Sequence, residues 1–141
     1  MTSDLVMIDS SAIIGMLSED DALHGQAVSA LNKIKIGDQR IAICDVVAAE
    51  TLTRVKQKWG ASMAYRFQHV FSEWQGNSSF LFLWMHEEIF RSALDIFAAH
   101  PSPKTFSFID AVLVAHMQSQ HIPLLFTFDR DFQKLGIKTI P

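Results

Sequence analysis

The chain has 141 residues, of which 49% are hydrophobic and 19% charged, with a formal net charge of −3. That is enough chain for one domain with a sizeable core, and too apolar a composition for intrinsic disorder. No apolar run approaches the ~20 residues that a membrane-spanning helix needs. The stretch MTSDLVMIDSS lacks the basic region and cleavage site of a secretory signal, and the lone Cys44 has no partner for an internal disulfide. Both features point to a reducing cytoplasm and no membrane. The negative charge gives no global basic footprint for nucleic acid, although bound cations would reverse the sign of an acidic site.

In chain order, Leu5–Ile8 reads as a short buried strand followed by a helix over Ser10–Leu17. Ser18 and Asp21 have the spacing of a capping box for a second helix, which would carry Ala22, Leu23, Ala27, Ala30, Leu31 and Ile34 on one face. Gly37-Asp38 is a turn before a strand over 41–44, and Asp45 is placed to cap a helix over 45–58 that stops near Gly60. A further helix over 61–74 runs into the Gly76-Asn77-Ser78-Ser79 turn and a strand over 80–85. Then come a helix over Glu87–Ala99, a Pro-containing loop over 100–103, a helix over 107–120, and a strand over 124–128 after Pro123. A short helix over 132–135 and an edge strand over 138–140 complete the chain. Short apolar strands alternating with helices predict a single α/β domain over 1–141. Its architecture would be a three-layer α/β/α sandwich around a central parallel sheet of four to five strands.

Four acids stand out because each sits in an apolar run: Asp9 in VMIDSSAII, Glu50 in CDVVAAETL, Asp110 in SFIDAVLVA and Asp129 in LLFTFDRDF. A buried charge needs a partner. In parallel sheets ligands bind beyond the carboxyl ends of the strands, and all four acids have a route to that edge. Each also has a simpler reading. Asp9 is placed to cap a helix, Asp110 to complement a helix dipole, Glu50 to pair with Arg54 one turn on, and Asp129 to form a turn with Asp131 capping the helix after it. If the four converge, their repulsion calls for cations. An all-oxygen set is the preference of Mg²⁺ or Mn²⁺, whereas zinc would bring His or Cys. His86-Glu87-Glu88 lacks the second His of a zinc-protease helix, and His116 and His121 read as structural or exposed residues. Phe67, Phe71 and Trp74 have the spacing of a core stripe.

Taken together, DSS near the N-terminus, the internal AAET, FIDAVLVA and TFDRDF resemble a PIN domain, in particular the VapC-type toxin ribonucleases, over essentially the whole chain. The resemblance implies a Mg²⁺- or Mn²⁺-dependent endoribonuclease with Asp9, Glu50, Asp110 and Asp129 as the catalytic set. Asp9, Asp110 and Asp129 would hold metal and Glu50 would orient the attacking water. Ser11, Thr127 and Asp131 would support them, and Arg54, Lys56 and Lys58 are candidates for contacts to the RNA backbone. It further implies a small VapB-like antitoxin as partner, docking near Trp59 and Phe67, and a homodimer. The alternatives are a PIN-like RNA-binding or scaffolding domain, an RNA-processing nuclease outside any toxin–antitoxin pair, and, from another class, a phosphotransfer domain. Against the last, Ser11 stands where a haloacid-dehalogenase-like site wants its second Asp, and a receiver's late Lys is not supplied.

Overall fold

The computed structural model describes residues 4–141; the first three residues of the N-terminal stretch discussed above lie outside them. Five strands form one sheet: β1 (Leu5–Ile8), β2 (Arg40–Cys44), β3 (Phe80–Leu83), β4 (Leu125–Phe126) and β5 (Thr139–Ile140), in the order β3-β2-β1-β4-β5. All pairings are parallel, with Met7 opposite both Ala42 and Leu125. Val6, Met7 and Ile8 are all fully buried although alternate side chains point to opposite faces. Both faces of the sheet are therefore covered, as the unbroken apolar strand requires. The helices α1 (Ser10–Leu17), α2 (His24–Ile36), α3 (Asp45–Trp59), α4 (Ala61–Gln75), α5 (Glu87–Ala99), α6 (Phe108–Gln120) and α7 (Asp131–Lys134) supply that cover. None is long and apolar enough to cross a membrane.

The chain runs outward from β1 through β2 to β3, then returns to the other side of β1 for β4 and β5. The order reverses between β1 and β4, so the crevice of this fold opens beyond their carboxyl ends. Asp9 follows β1 directly, and Thr127, Phe128 and Asp129 follow β4.

The element order agrees with the sequence reading, and the departures have local causes. Ser18 does not open the second helix. It ends α1, its N–H donating to the Ile14 carbonyl, and its buried hydroxyl has no partner. Asp21 instead accepts from the Leu23 N–H in a turn, and α2 starts at His24 without a side-chain cap. Ala22 and Leu23 thus fall outside the helical stripe. Asp45 is the first residue inside α3 rather than its cap, and its carboxylate receives the Val46 and Met85 N–H groups. The second of these bonds draws Met85 out of the ladder, which ends β3 at Leu83. The strand expected over 124–128 shrinks to two residues because the Phe128 and Asp129 N–H groups donate to the Ser11 and Thr127 hydroxyls. The last helix begins one residue early, at Asp131, whose N–H donates to Asp129 Oδ1.

Phe67, Phe71 and Trp74 are buried against the sheet, with Trp74 stacked on Phe80 at a centroid distance of 4.3 Å. Phe67 is therefore core and not available to a docking partner, contrary to its expected place in a groove; Trp59 remains half-buried at the α3–α4 corner. Truncation of a fully enclosed Phe typically costs about 3–5 kcal/mol. The expected outcome for Phe67→Ala is a loss of that size in urea-unfolding free energy, read from the midpoint at unchanged m-value.

Candidate active site

Asp9 is the centre of the site. Only 5% exposed, it caps α1 and receives the Ser10 N–H at 2.6 Å. Its Oδ2 accepts from the Thr127 hydroxyl at 2.6 Å and the Ser11 hydroxyl at 3.3 Å. The same two hydroxyls take the N–H groups of Phe128 and Asp129 on their other side. No cation touches Asp9. Burial is the main influence on its acidity, and it pushes the proton affinity up. Hydrogen bonds from Thr127, Ser10 and Ser11 oppose that push, and the charge on Asp129 adds to it.

Asp110 is placed by a reciprocal cap at the start of α6. The Ser107 hydroxyl accepts from the Asp110 N–H at 3.0 Å, and Asp110 Oδ2 accepts from the Ser107 N–H at 2.9 Å. Its carboxyl is pushed up to about 6, by burial first and then by the charges on Asp9 and Asp129, against the bonds from Ser107. Asp110 thus feels the charges of Asp9 and Asp129, and Asp9 that of Asp129, although the three come from distant segments. Sequence reasoning overlooked Ser107. The Ser-x-x-Asp spacing over 107–110 is the signal that finds it, and it is the spacing misassigned to 18–21.

Glu50 sits at the margin. It lies in the second turn of α3, and its Oε1 pairs with Arg54 at 3.1 Å; neither Asp9 nor Asp110 feels its charge appreciably. Arg54 also donates to the Ser10 hydroxyl at 3.1 Å, so it links Glu50 to the first turn of α1. Glu50 lines an open hollow with Ile109, the neighbour of Asp110. Asp131 faces away from the trio: its carboxylate accepts from the Thr105 hydroxyl and pairs with Lys134 at 3.3 Å. It ties the loop before α6 to α7 and so braces the two segments that carry Asp110 and Asp129. Of the basic candidates, Arg54 is engaged as described. Lys58 lies 4.0 Å from Asp21 and over the Trp59 ring, and Lys56 is exposed. His116 is buried, its proton affinity lowered mainly by burial, with no partner for Nε2; His121 is exposed in a left-handed turn.

Among the described residues, no three His, Cys, Asp or Glu side chains are drawn together tightly enough to hold a metal ion. The donor set nevertheless fits a hard cation. It consists of carboxylates and hydroxyls, and Mg²⁺ commonly takes one or two protein carboxylates while keeping several waters. Burial first, and neighbouring carboxylate charge after it, raise the proton affinities of Asp9 and Asp110, and a bound cation would offset both.

The model of the PIN domain family matches residues 6–138. Among curated proteins none matches the sequence. Among solved structures, VapC20 of Mycobacterium tuberculosis, a toxin that cleaves the sarcin-ricin loop, superposes with a TM-score of 0.78 at 19% identity, over 94% of this chain and 95% of that one. VapBC2 of Rickettsia felis, bound to a DNA fragment of its promoter, gives 0.70 at 12% identity and 96% coverage of both chains. FitAcB of Neisseria gonorrhoeae gives 0.63 at 15% identity, again covering 96% of each. Identities this low speak to the fold, and they agree on one. With the family model spanning nearly the whole length, the chain belongs to the PIN domain family.

Proposed function

We propose that the chain, acting as one PIN unit over 1–141, is a Mg²⁺- or Mn²⁺-dependent endoribonuclease and the cytoplasmic toxin of a type II toxin–antitoxin pair. The observation that carries this reading is the buried Asp9 carboxylate, held by hydroxyls and a backbone N–H, with the charge of Asp129 adding to the effect of its burial and its own charge acting on Asp110. Such a site gains most from a divalent ion. The structural neighbours, which include a toxin–antitoxin complex from Klebsiella pneumoniae, support the toxin part.

Asp9, Asp110 and Asp129 would hold the cation, which supplies charge neutralisation at the phosphate and a more acidic water as nucleophile. The protein's own groups do the positioning. Thr127 and Ser11 fix both the Asp9 carboxylate and the backbone of the strand end that carries Asp129. Ser107 fixes Asp110. Glu50, positioned by its ion pair with Arg54, would accept a hydrogen bond from the attacking water. Arg54, Lys56 and Lys58 lie along α3 beside the site and suit contacts to the RNA backbone. A small VapB-like antitoxin and a second copy of the chain are the proposed protein partners. The exposed Phe90, Leu94 and Phe97, which share one face of α5, favour a covering partner.

Asp9→Asn keeps a cap for α1 but removes the charge. It is expected to reduce Mn²⁺-dependent RNA cleavage by more than about a hundredfold, since a metal ion supplies several kcal/mol of transition-state stabilisation. Mn²⁺ should raise the melting temperature of the parent and not of the variant. Cleavage at the parental rate by a folded Asp9→Asn protein would refute the assignment and leave a binding or scaffolding role.

Asp110 carries a pH signature as well. Its folded-state value of about 6 lies above the ordinary 3.8, so the folded protein holds this proton more tightly than the unfolded chain. The resulting destabilisation is absent below pH 3.8, grows between 3.8 and 6, and is complete above 6. In EDTA, Asp110→Asn is therefore expected to melt higher than the parent at pH 7.5, with the difference vanishing by pH 4. Thermal scans across that range check it, and a variant less stable than the parent at pH 7.5 would contradict the repulsion.

A further inference from the structure

A hollow of about 490 Å³ lies on the far side of Asp129, between the start of α2, the end of β4 and α7. Its size falls within the ~300–1,000 Å³ range of small-molecule sites. Thr127, Phe128 and Asp129 form one wall, so it adjoins one of the three acids and the hydroxyl that holds another. Leu23 and the half-buried Phe128 give it an apolar lining. Against this stand three polar side chains with spare hydrogen-bonding capacity. The Gln26 amide has no protein partner among the described residues. Gln133 spends its N–H on the Thr139 hydroxyl, which leaves its carbonyl oxygen open. Among the described residues Arg130 has no carboxylate within pairing distance, although it is flanked by Asp129 and Asp131 in sequence; Asp131 pairs with Lys134.

From this combination we propose that the hollow is a nucleobase subsite. It would take one unpaired base of the substrate strand, next to the phosphate held at the acids, and so rests on the ribonuclease reading above. An apolar and aromatic lining suits the face of any base, because every base presents a π-surface. Side-chain amides are the groups that read a base edge, since they offer a donor and an acceptor side by side. Arg130 at the mouth matches an adjoining phosphate, where a guanidinium forms bidentate hydrogen bonds. Recognition of single-stranded RNA generally works by this splaying-out of unstacked bases. Gln26, Gln133 and Arg130 are then specificity residues, distinct from the acids that would perform hydrolysis.

The test has two arms. In the first, AMP, GMP, CMP and UMP are titrated against the ¹⁵N-labelled protein, with ribose 5-phosphate as the base-free control. At least one nucleotide is expected to bind about tenfold more tightly than the control, the scale of one good amide–base contact. The double variant Gln26→Ala/Gln133→Ala should lose that margin while keeping the parental melting temperature. In the second arm, a randomised RNA pool is cleaved in Mn²⁺ by parent and double variant, and the ends are sequenced. A relaxed base preference beside the cut supports the subsite. Equal binding of all four nucleotides and ribose 5-phosphate overturns it, as does an unchanged cleavage profile in the double variant. Base-dependent nucleotide binding by a parent that cleaves nothing would uphold the subsite and reject the nuclease.

Discussion

A buried carboxylate stabilised by hydroxyls instead of cations is the constraint around which the rest of the molecule is arranged. Asp9 is nearly inaccessible, and its partners are the Ser10 N–H and the hydroxyls of Ser10, Ser11 and Thr127. Thr127 reaches it only because β4 returns to lie beside β1. The Ser11 and Thr127 hydroxyls then serve a second purpose. By accepting the Phe128 and Asp129 N–H groups they end the strand and aim its last acid. Removal of either hydroxyl would therefore unsettle a buried charge, a strand terminus and a neighbouring carboxylate at once. Leaving such groups unsatisfied typically costs about 1–3 kcal/mol each.

Much of this was legible in the sequence, because the strands are unbroken apolar runs and the acids interrupt them. Asp9, Asp110 and Asp129 were found as exceptions to burial rules, and the edge they share followed from strand-to-helix order. The modest structural roles weighed for them turn out to be real as well. Asp9 caps a helix, Asp110 completes a capping box, and Asp129 receives the N–H that opens α7. Capping and convergence are not rivals here: the caps are what hold each carboxylate in place. Less legible were the features set by tertiary geometry. Ser18-Asp21 and Ser107-Asp110 share one spacing, yet only the second begins a helix, since Ser18 is consumed in closing α1. Phe67 shares its helix with exposed residues such as Tyr65, and only packing reveals which faces inward. The Arg54–Ser10 bond spans 44 positions and has no local trace at all.

The distribution of charge refines what the net value of −3 suggested. Several basic side chains are already engaged within the protein: Arg54 with Glu50, Lys58 with Asp21, Arg91 with Glu87, and Lys134 with Asp131. A polyanion approaching α3 would have to compete with Glu50 for Arg54 and with Asp21 for Lys58. Electrostatic attraction to a nucleic-acid backbone scales with the number of phosphates neutralised. On the ribonuclease reading proposed above, shape and base contacts near the acids would therefore carry more of the recognition than on a uniformly basic surface.

The bond between Thr127 and Asp9 joins positions 118 residues apart. Contacts of such sequence separation are slow to form, because the loop must close before they contribute anything. On a ribosome, Asp9 emerges early and waits, an acid beside an unpaired strand, until β4 has followed it out. Its carboxylate cannot be enclosed, nor Asp129 aimed, before synthesis has passed Thr127 and Asp129. The surroundings of Asp9 are thus tied to a segment made more than a hundred residues after it: a chain that stops short of β4 has the carboxylate but not the hydroxyl that holds it.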